Sequence, residues 1–174
     1  MIPKYENLFD DEIKEFIRIS ETFAQEYVGN SVEDIRQSYI EMVKHFRQAR
    51  PSSVQVEDKK VAFKERSLLY RQYSKGTDNK SDLIYFHGGG FVVGGLESHD
   101  DICAEICEST GCNVFSLDYS LAPEVKYPEF FLDAIRFYYF IKNPERRLIL
   151  VGDSVGGTLA GFVANKVRKL TIRP

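Results

Sequence analysis

No stretch of this 174-residue sequence is long and apolar enough to span a bilayer. Its opening, Met1-Ile2-Pro3-Lys4-Tyr5-Glu6-Asn7, lacks the uninterrupted apolar core of a secretory signal. Cysteine is scarce: Cys103, Cys107 and Cys112 are odd in number and clustered, a poor disulfide framework and the usage of a reduced, cytoplasmic protein. Cys103 and Cys107 stand one helical turn apart, but no second Cys or His pair lies nearby at ligand spacing, so no metal site is expected. Blocks of like charge are missing too. A net charge of −3, with acids and bases interspersed, offers no footprint for nucleic acid or an anionic membrane. Internal repeats and low-complexity tracts are also absent. What is there is an apolar fraction of 43%, enough for one substantial core.

Ile13, Phe16, Ile17, Phe23 and Tyr27 recur at helical spacing behind Asp10, Asp11 and Glu12, which suit the positive end of a helix dipole. Gly29-Asn30 should break that helix. Ser31-Val32-Glu33-Asp34 reads as a capping box opening a second one, with Val32, Ile35, Tyr39, Met42 and Phe46 on its apolar face and an end near Arg50-Pro51. The stripes are packing surface, although such a pair can also roof an active site. From Val54 the pattern turns extended, with antiparallel strands expected over 54–63 and 67–73, then a polar loop over 74–81.

Leu83 to Phe86, Asn113 to Leu117 and Arg147 to Val151 are continuous apolar runs of the kind found in strands buried on both faces. Between them lie a helix starting at Ser98, Asp100 and Asp101 and closed by Gly111, and another with Pro128 as first residue running to about Lys142. Strand and helix thus alternate, which implies a mostly parallel sheet flanked by helices, with ligands beyond the carboxyl ends of the strands.

The last run leads directly into Gly152-Asp153-Ser154-Val155-Gly156-Gly157 and then into an amphipathic helix through Thr158, Leu159, Phe162, Val163, Val167 and Leu170. In that context Gly-x-Ser-x-Gly is a nucleophile elbow: a sharp strand-to-helix turn lifts the Ser154 hydroxyl above the sheet, and flanking glycines let neighbouring backbones approach. The helix N-terminus aims the Val155 N–H at the reacting centre. An earlier strand ends in His87-Gly88-Gly89-Gly90-Phe91, where successive N–H groups can point at one oxygen. A flexible glycine turn would not explain why both motifs end buried parallel strands with one further strand between them.

Together with Asp118-Tyr119-Ser120-Leu121-Ala122-Pro123-Glu124, these motifs make the sequence resemble the hormone-sensitive-lipase branch of the α/β-hydrolases, over essentially the whole chain. The resemblance implies an α/β-hydrolase fold, with residues 1–50 as an N-terminal helical cap and 51–174 as the N-terminal part of the core. It implies a serine carboxylic-ester hydrolase of esterase or lipase type, with Ser154 as nucleophile. The oxyanion hole would be N–H groups of Gly88, Gly89 or Gly90 together with Val155. His87 would orient the glycine loop rather than act as base, and Asp118 and Glu124 would brace the loops through buried hydrogen bonds. Asp153, between Gly152 and Gly156 of the elbow, would pin the elbow or loop contacts. Val155 stands where alanine is common, and its branched side chain would crowd the pocket. His45 and His99 read as exposed or capping histidines.

In this fold the triad acid and histidine follow the serine in chain order. Residues 155–174 contain no Asp, Glu or His. The expectation is therefore a truncated or split hydrolase whose elbow strand is left as an apolar sheet edge, covered by a complementary chain or a homo-oligomer. The expected substrate is a small apolar ester, with no metal or organic cofactor required. The alternative is a non-catalytic protein of the same fold that binds a small ligand or a partner.

Overall fold

Hydrogen-bonding between strands far apart in the sequence decides how these elements assemble. The computed structural model describes residues 8–26, 31–64, 66–76 and 79–171. Met1 to Asn7, Tyr27, the Gly29-Asn30 break and the side chain of Leu170 lie outside them. The described residues form two compact units, one ending at Phe46 and the other starting at Arg47.

The first unit is a pair of helices, α1 (Asp11–Glu26) and α2 (Val32–Phe46). Asp10 Oδ1 caps α1 by accepting from the Ile13 N–H at 2.8 Å. Ser31 Oγ caps α2 by accepting from the Asp34 N–H at 3.1 Å and donates to the Asp34 carboxylate, the reciprocal pairing expected of a capping box. Phe16 meets Phe46 at 4.8 Å between ring centres, and Ser38 Oγ donates to the Phe23 carbonyl. No residue of α2 is fully buried.

The second unit contains β1 (Gln55–Phe63), β2 (Arg66–Ser74), β3 (Ser81–Phe86), α3 (Asp100–Thr110), β4 (Asn113–Asp118), α4 (Glu129–Ile141), β5 (Arg147–Gly152) and α5 (Val155–Thr171). The sheet order is β1-β2-β4-β3-β5. β3 pairs in parallel with both β4 and β5, while β2 runs antiparallel to β1 and β4. The sheet is therefore mixed, with β2 alone reversed.

The pleat of β3 divides the core. Ile84 and Phe86 face Leu117 with Phe130, Ala134 and Phe137 of α4 and Leu159, Ala160 and Val163 of α5. Leu83 and Tyr85 face Tyr73 and Val114 with Cys103, Ala104 and Cys107 of α3. All three cysteines are buried core residues, and burial pushes the Cys103 thiol up to about 12.

As expected of the elbow strand, β5 is the last strand of the order among the described residues; it pairs with β3 only, and Leu148 to Val151 are half-buried. Two local expectations shift. Pro128 precedes α4 as its N-cap residue, with φ at −99°. His99, not Ser98, is the residue before α3, and it makes no side-chain cap bond. No helix of the described residues is long and apolar enough to cross a membrane.

Candidate active site

β3 and β5 lie side by side with Phe86 opposite Gly152, so the two glycine motifs leave the sheet together at their carboxyl ends. At the end of β5 the chain reverses into α5 within two residues. The Gly156 N–H donates to the Asp153 carbonyl at 2.7 Å, and Ser154 takes a φ of 51°. That left-handed conformation is uncommon for a residue with a side chain and holds the exposed Ser154 at the crest of the turn. Such a tight elbow requires Gly156: a Cβ there would stand 1.9 Å from the Phe86 carbonyl oxygen.

At the end of β3 the glycine loop folds back on itself. Val93 N–H donates to the Gly89 carbonyl at 2.9 Å, and Gly89 has a φ of +117° with no room for a Cβ against the Val93 carbonyl. His87 is fully buried beneath the loop, stacked on Tyr119 at 4.2 Å and 11°. Its Nδ1 lies 2.7 Å from the Gly88 carbonyl, and Tyr119 Oη donates to the His87 carbonyl at 2.7 Å. Nδ1 is thus engaged with the loop, while the buried Nε2 meets no hydrogen-bond partner among the described residues. Burial drives the His87 pKa down to about 4, against a bond to Gly88 that favours the charged form.

His87 is therefore held neutral, and its contribution to stability follows. With the folded value below the ordinary 6.5, that contribution is complete above pH 6.5 and is lost as the pH falls toward 4. Urea titrations at pH 7 and pH 4.5 should show the wild type losing about 2 to 3 kcal/mol more than His87→Phe, which keeps the stack on Tyr119. Equal losses in both proteins would assign the acid sensitivity elsewhere.

Asp153 joins the two motifs. Its Oδ1 accepts from the Gly88 N–H at 2.8 Å and from Tyr85 Oη at 3.0 Å, and His99 Nε2 approaches it at 3.3 Å. Burial raises this carboxyl, but the bonds from His99, Tyr85 and Gly88 outweigh it and hold the pKa at about 2. The Gly88 N–H is thus committed to a carboxylate, which removes Gly88 from the expected oxyanion donors. No hydrogen bond among the described residues uses the N–H of Gly89, Gly90 or Val155.

Two other site residues sit differently from expectation. Asp118, at the end of β4, is half-buried beside Gly95 and accepts no hydrogen bond among the described residues; burial raises its pKa, with Arg71 opposing. Glu124 is exposed. Their segment still braces the glycine loop, through other atoms. The Ala122 N–H donates to the Phe91 carbonyl at 2.8 Å. The Ser120 N–H donates to the buried carboxylate of Asp133, which Arg66 and Arg136 also bind. His99 is buried at 3% exposure, neither solvated nor capping. His45 is exposed, packed edgewise on Phe46.

An ion cluster unforeseen in the sequence lies behind the loop. Arg71 binds Asp58, Glu97 and Asp100, while Arg47 and Arg50 reach Glu97 and Asp100. No group of His, Cys, Asp and Glu among the described residues is arranged to hold a metal ion.

Residues 83–174 match a family model described as the alpha/beta hydrolase fold. The ethyl acetate hydrolase of Pseudomonas putida is 40% identical over 92 residues, covering 49% of this chain and 29% of that protein. The acetyl esterase of Salmonella agona is 27% identical over 170 residues, covering 94% of this chain and 53% of that one. The solved structure of a hyperthermophilic esterase from Pyrobaculum calidifontis superposes with a TM-score of 0.79 at 27% identity, over 90% of this chain and 53% of that one. The chain spans about half or less of the length of these relatives. With the elbow, the glycine loop and the sheet order in agreement with this match over more than half its residues, the chain belongs to the α/β-hydrolase fold family, in the branch that resembles hormone-sensitive lipase.

Proposed function

We propose that this chain carries the nucleophile and oxyanion donors of a serine carboxylic-ester hydrolase. The supporting observation is the juxtaposition at one end of the sheet: an exposed serine at φ 51° and a glycine loop tied to the residue before it by the Asp153–Gly88 hydrogen bond. Ser154 Oγ attacks the ester carbonyl. The oxyanion that forms takes hydrogen bonds from the Val155 N–H and from Gly89 and Gly90, donors that need no reorganisation as charge develops. Collapse expels the alcohol and leaves an acyl-serine that water then cleaves. The names of the relatives, acetyl esterase and ethyl acetate hydrolase, favour short acyl groups, and the branched Val155 beside the nucleophile narrows the same space.

The proton of Ser154 needs an acceptor. His87 and His99 are buried, His87 with Nδ1 on the Gly88 carbonyl and His99 between Ser98 and Asp153, and residues 155–174 offer no acid or histidine. In our reading the base and acid come from a complementary segment that also covers the free edge of β5. Hydrolysis of p-nitrophenyl acetate and butyrate tests this. The 174-residue chain alone should not exceed about 10³ to 10⁴ over the rate in water, and Ser154→Ala should leave that rate unchanged. Multiple turnover lost in Ser154→Ala would mean that a base within this chain reaches the serine.

A further inference from the structure

His99 has no role in the family motifs and none as a helix cap, yet it is almost fully buried at the N-terminus of α3. A buried imidazole is costly unless its nitrogens are used. Its ring lies 5.9 Å from that of Tyr85 and 5.7 Å from that of His87. Nδ1 faces Ser98 Oγ at 2.8 Å; the same hydroxyl accepts the Gly95 N–H at 2.9 Å and has the Gly95 carbonyl as a second acceptor for its proton at 3.0 Å. With Nδ1 engaged by the hydroxyl, Nε2 is the ring atom left to meet the Asp153 carboxylate. Tyr85 Oη and the Gly88 N–H, which hydrogen-bond to its Oδ1, belong to β3 and the start of the loop that continues it; His99 approaches that oxygen at 3.3 Å from the far end of the same loop, just before α3.

We infer that His99 is a positioning residue for the oxyanion loop: its Nε2 holds Asp153 Oδ1 where the Gly88 N–H meets it, and so fixes the turn that presents the Gly89 and Gly90 N–H groups beside Ser154. This deepens the proposed esterase reading and rests on it for the roles of Ser154 and the loop. The geometry of the clamp can nevertheless be measured without turnover.

The test compares the wild-type chain with His99→Leu, which lacks a donor, and His99→Gln, whose amide restores one at similar reach. Amide exchange at Gly88 is followed by NMR beside amides of the β1–β2 hairpin, and adduct formation at Ser154 with a p-nitrophenyl phosphonate is followed by mass spectrometry. His99→Leu should speed exchange at Gly88 about ten-fold or more with the hairpin unchanged, and slow adduct formation by a similar factor. His99→Gln should recover most of both. Where His99→Leu does not fold, His99→Asn, polar but too short to reach Asp153, gives the same comparison. Unchanged exchange at Gly88, equal acceleration in the hairpin, or no rescue by glutamine would overturn the inference. Failure of the wild type itself to form an adduct would count against the nucleophile reading, while the exchange rates would still decide the part assigned to His99.

Discussion

Gly156→Ala is expected to destabilise the sheet unit by about 3 kcal/mol or more, the upper end of what overpacking costs. The added methyl would sit 1.9 Å from the Phe86 carbonyl oxygen, 2.7 Å from its carbon and 2.8 Å from the His87 carbonyl oxygen. All three are backbone atoms of β3 and the loop it leads into, so no side chain can swing aside. Relief requires α5 to lift from β3, which opens the packing of Leu159 and Val163, both fully buried. Gly161, one turn further along α5, has nothing within 4 Å of a would-be Cβ. Gly161→Ala should therefore stabilise slightly, by up to about 1 kcal/mol, through helix propensity. Denaturant unfolding of the two variants separates a close approach from a general intolerance of α5 to alanine.

Arg71→Leu is the second large effect, expected to cost about 3 kcal/mol or more. The Arg71 guanidinium is 8% exposed and binds three carboxylates, Asp58 at 2.5 Å, Glu97 at 2.6 Å and Asp100 at 2.8 Å. Of these, Asp100 is 1% exposed. Removing the arginine leaves that buried carboxylate with Tyr73 Oη and only the more exposed Arg50, and a buried charge that loses its buried counter-ion costs far more than a lost surface pair. The damage should reach the site, because Glu97 and Asp100 flank Ser98 and His99. Exchange at Gly88 and Gly95 should rise in this variant. By contrast, the exposed Arg18–Glu15 pair on α1 is open to solvent on both sides, and Arg18→Ala should leave the unfolding midpoint unchanged. Similar losses in Arg71→Leu and Arg18→Ala would contradict the account of the cluster.

What was legible in the sequence was local. Extended segments, continuous apolar runs and helix-end signals place β1 to β5, α3 and α4 within two residues of their observed bounds, and the elbow and glycine loop are readable because their chemistry demands glycine at fixed offsets around one serine. What escaped is partner choice across long separations. Asp153 reads as a pin for the elbow or loop contacts, but nothing near it announces that its partner is the Gly88 N–H, a bond that engages one of the expected oxyanion donors. His99 reads as a helix-start residue because Ser98, Asp100 and Asp101 around it are good capping types; only the fold brings it to Asp153. Asp118 and Glu124 stand in a segment that does brace the loop, through bonds that include the Ala122 N–H to Phe91 and Tyr119 Oη to His87, while Ser120 ties the segment to Asp133 on α4. The apolar run Leu148 to Val151 by itself reads as buried on both faces; its edge position followed from the fold that the motifs imply, not from its hydrophobicity.

The central claim is that Ser154 is the nucleophile of an esterase-type site. It is tested most directly by incubating the folded chain with a p-nitrophenyl phosphonate at pH 9 and locating the adduct by peptide mass spectrometry. At that pH the serine depends less on a base, and stabilisation of the oxyanion distinguishes it from other hydroxyls. The account predicts that Ser154 is modified faster than any other serine, and that the preference disappears when Gly89→Val distorts the loop. Labelling spread evenly over exposed serines, or none at Ser154 in a protein shown to be folded, would contradict it.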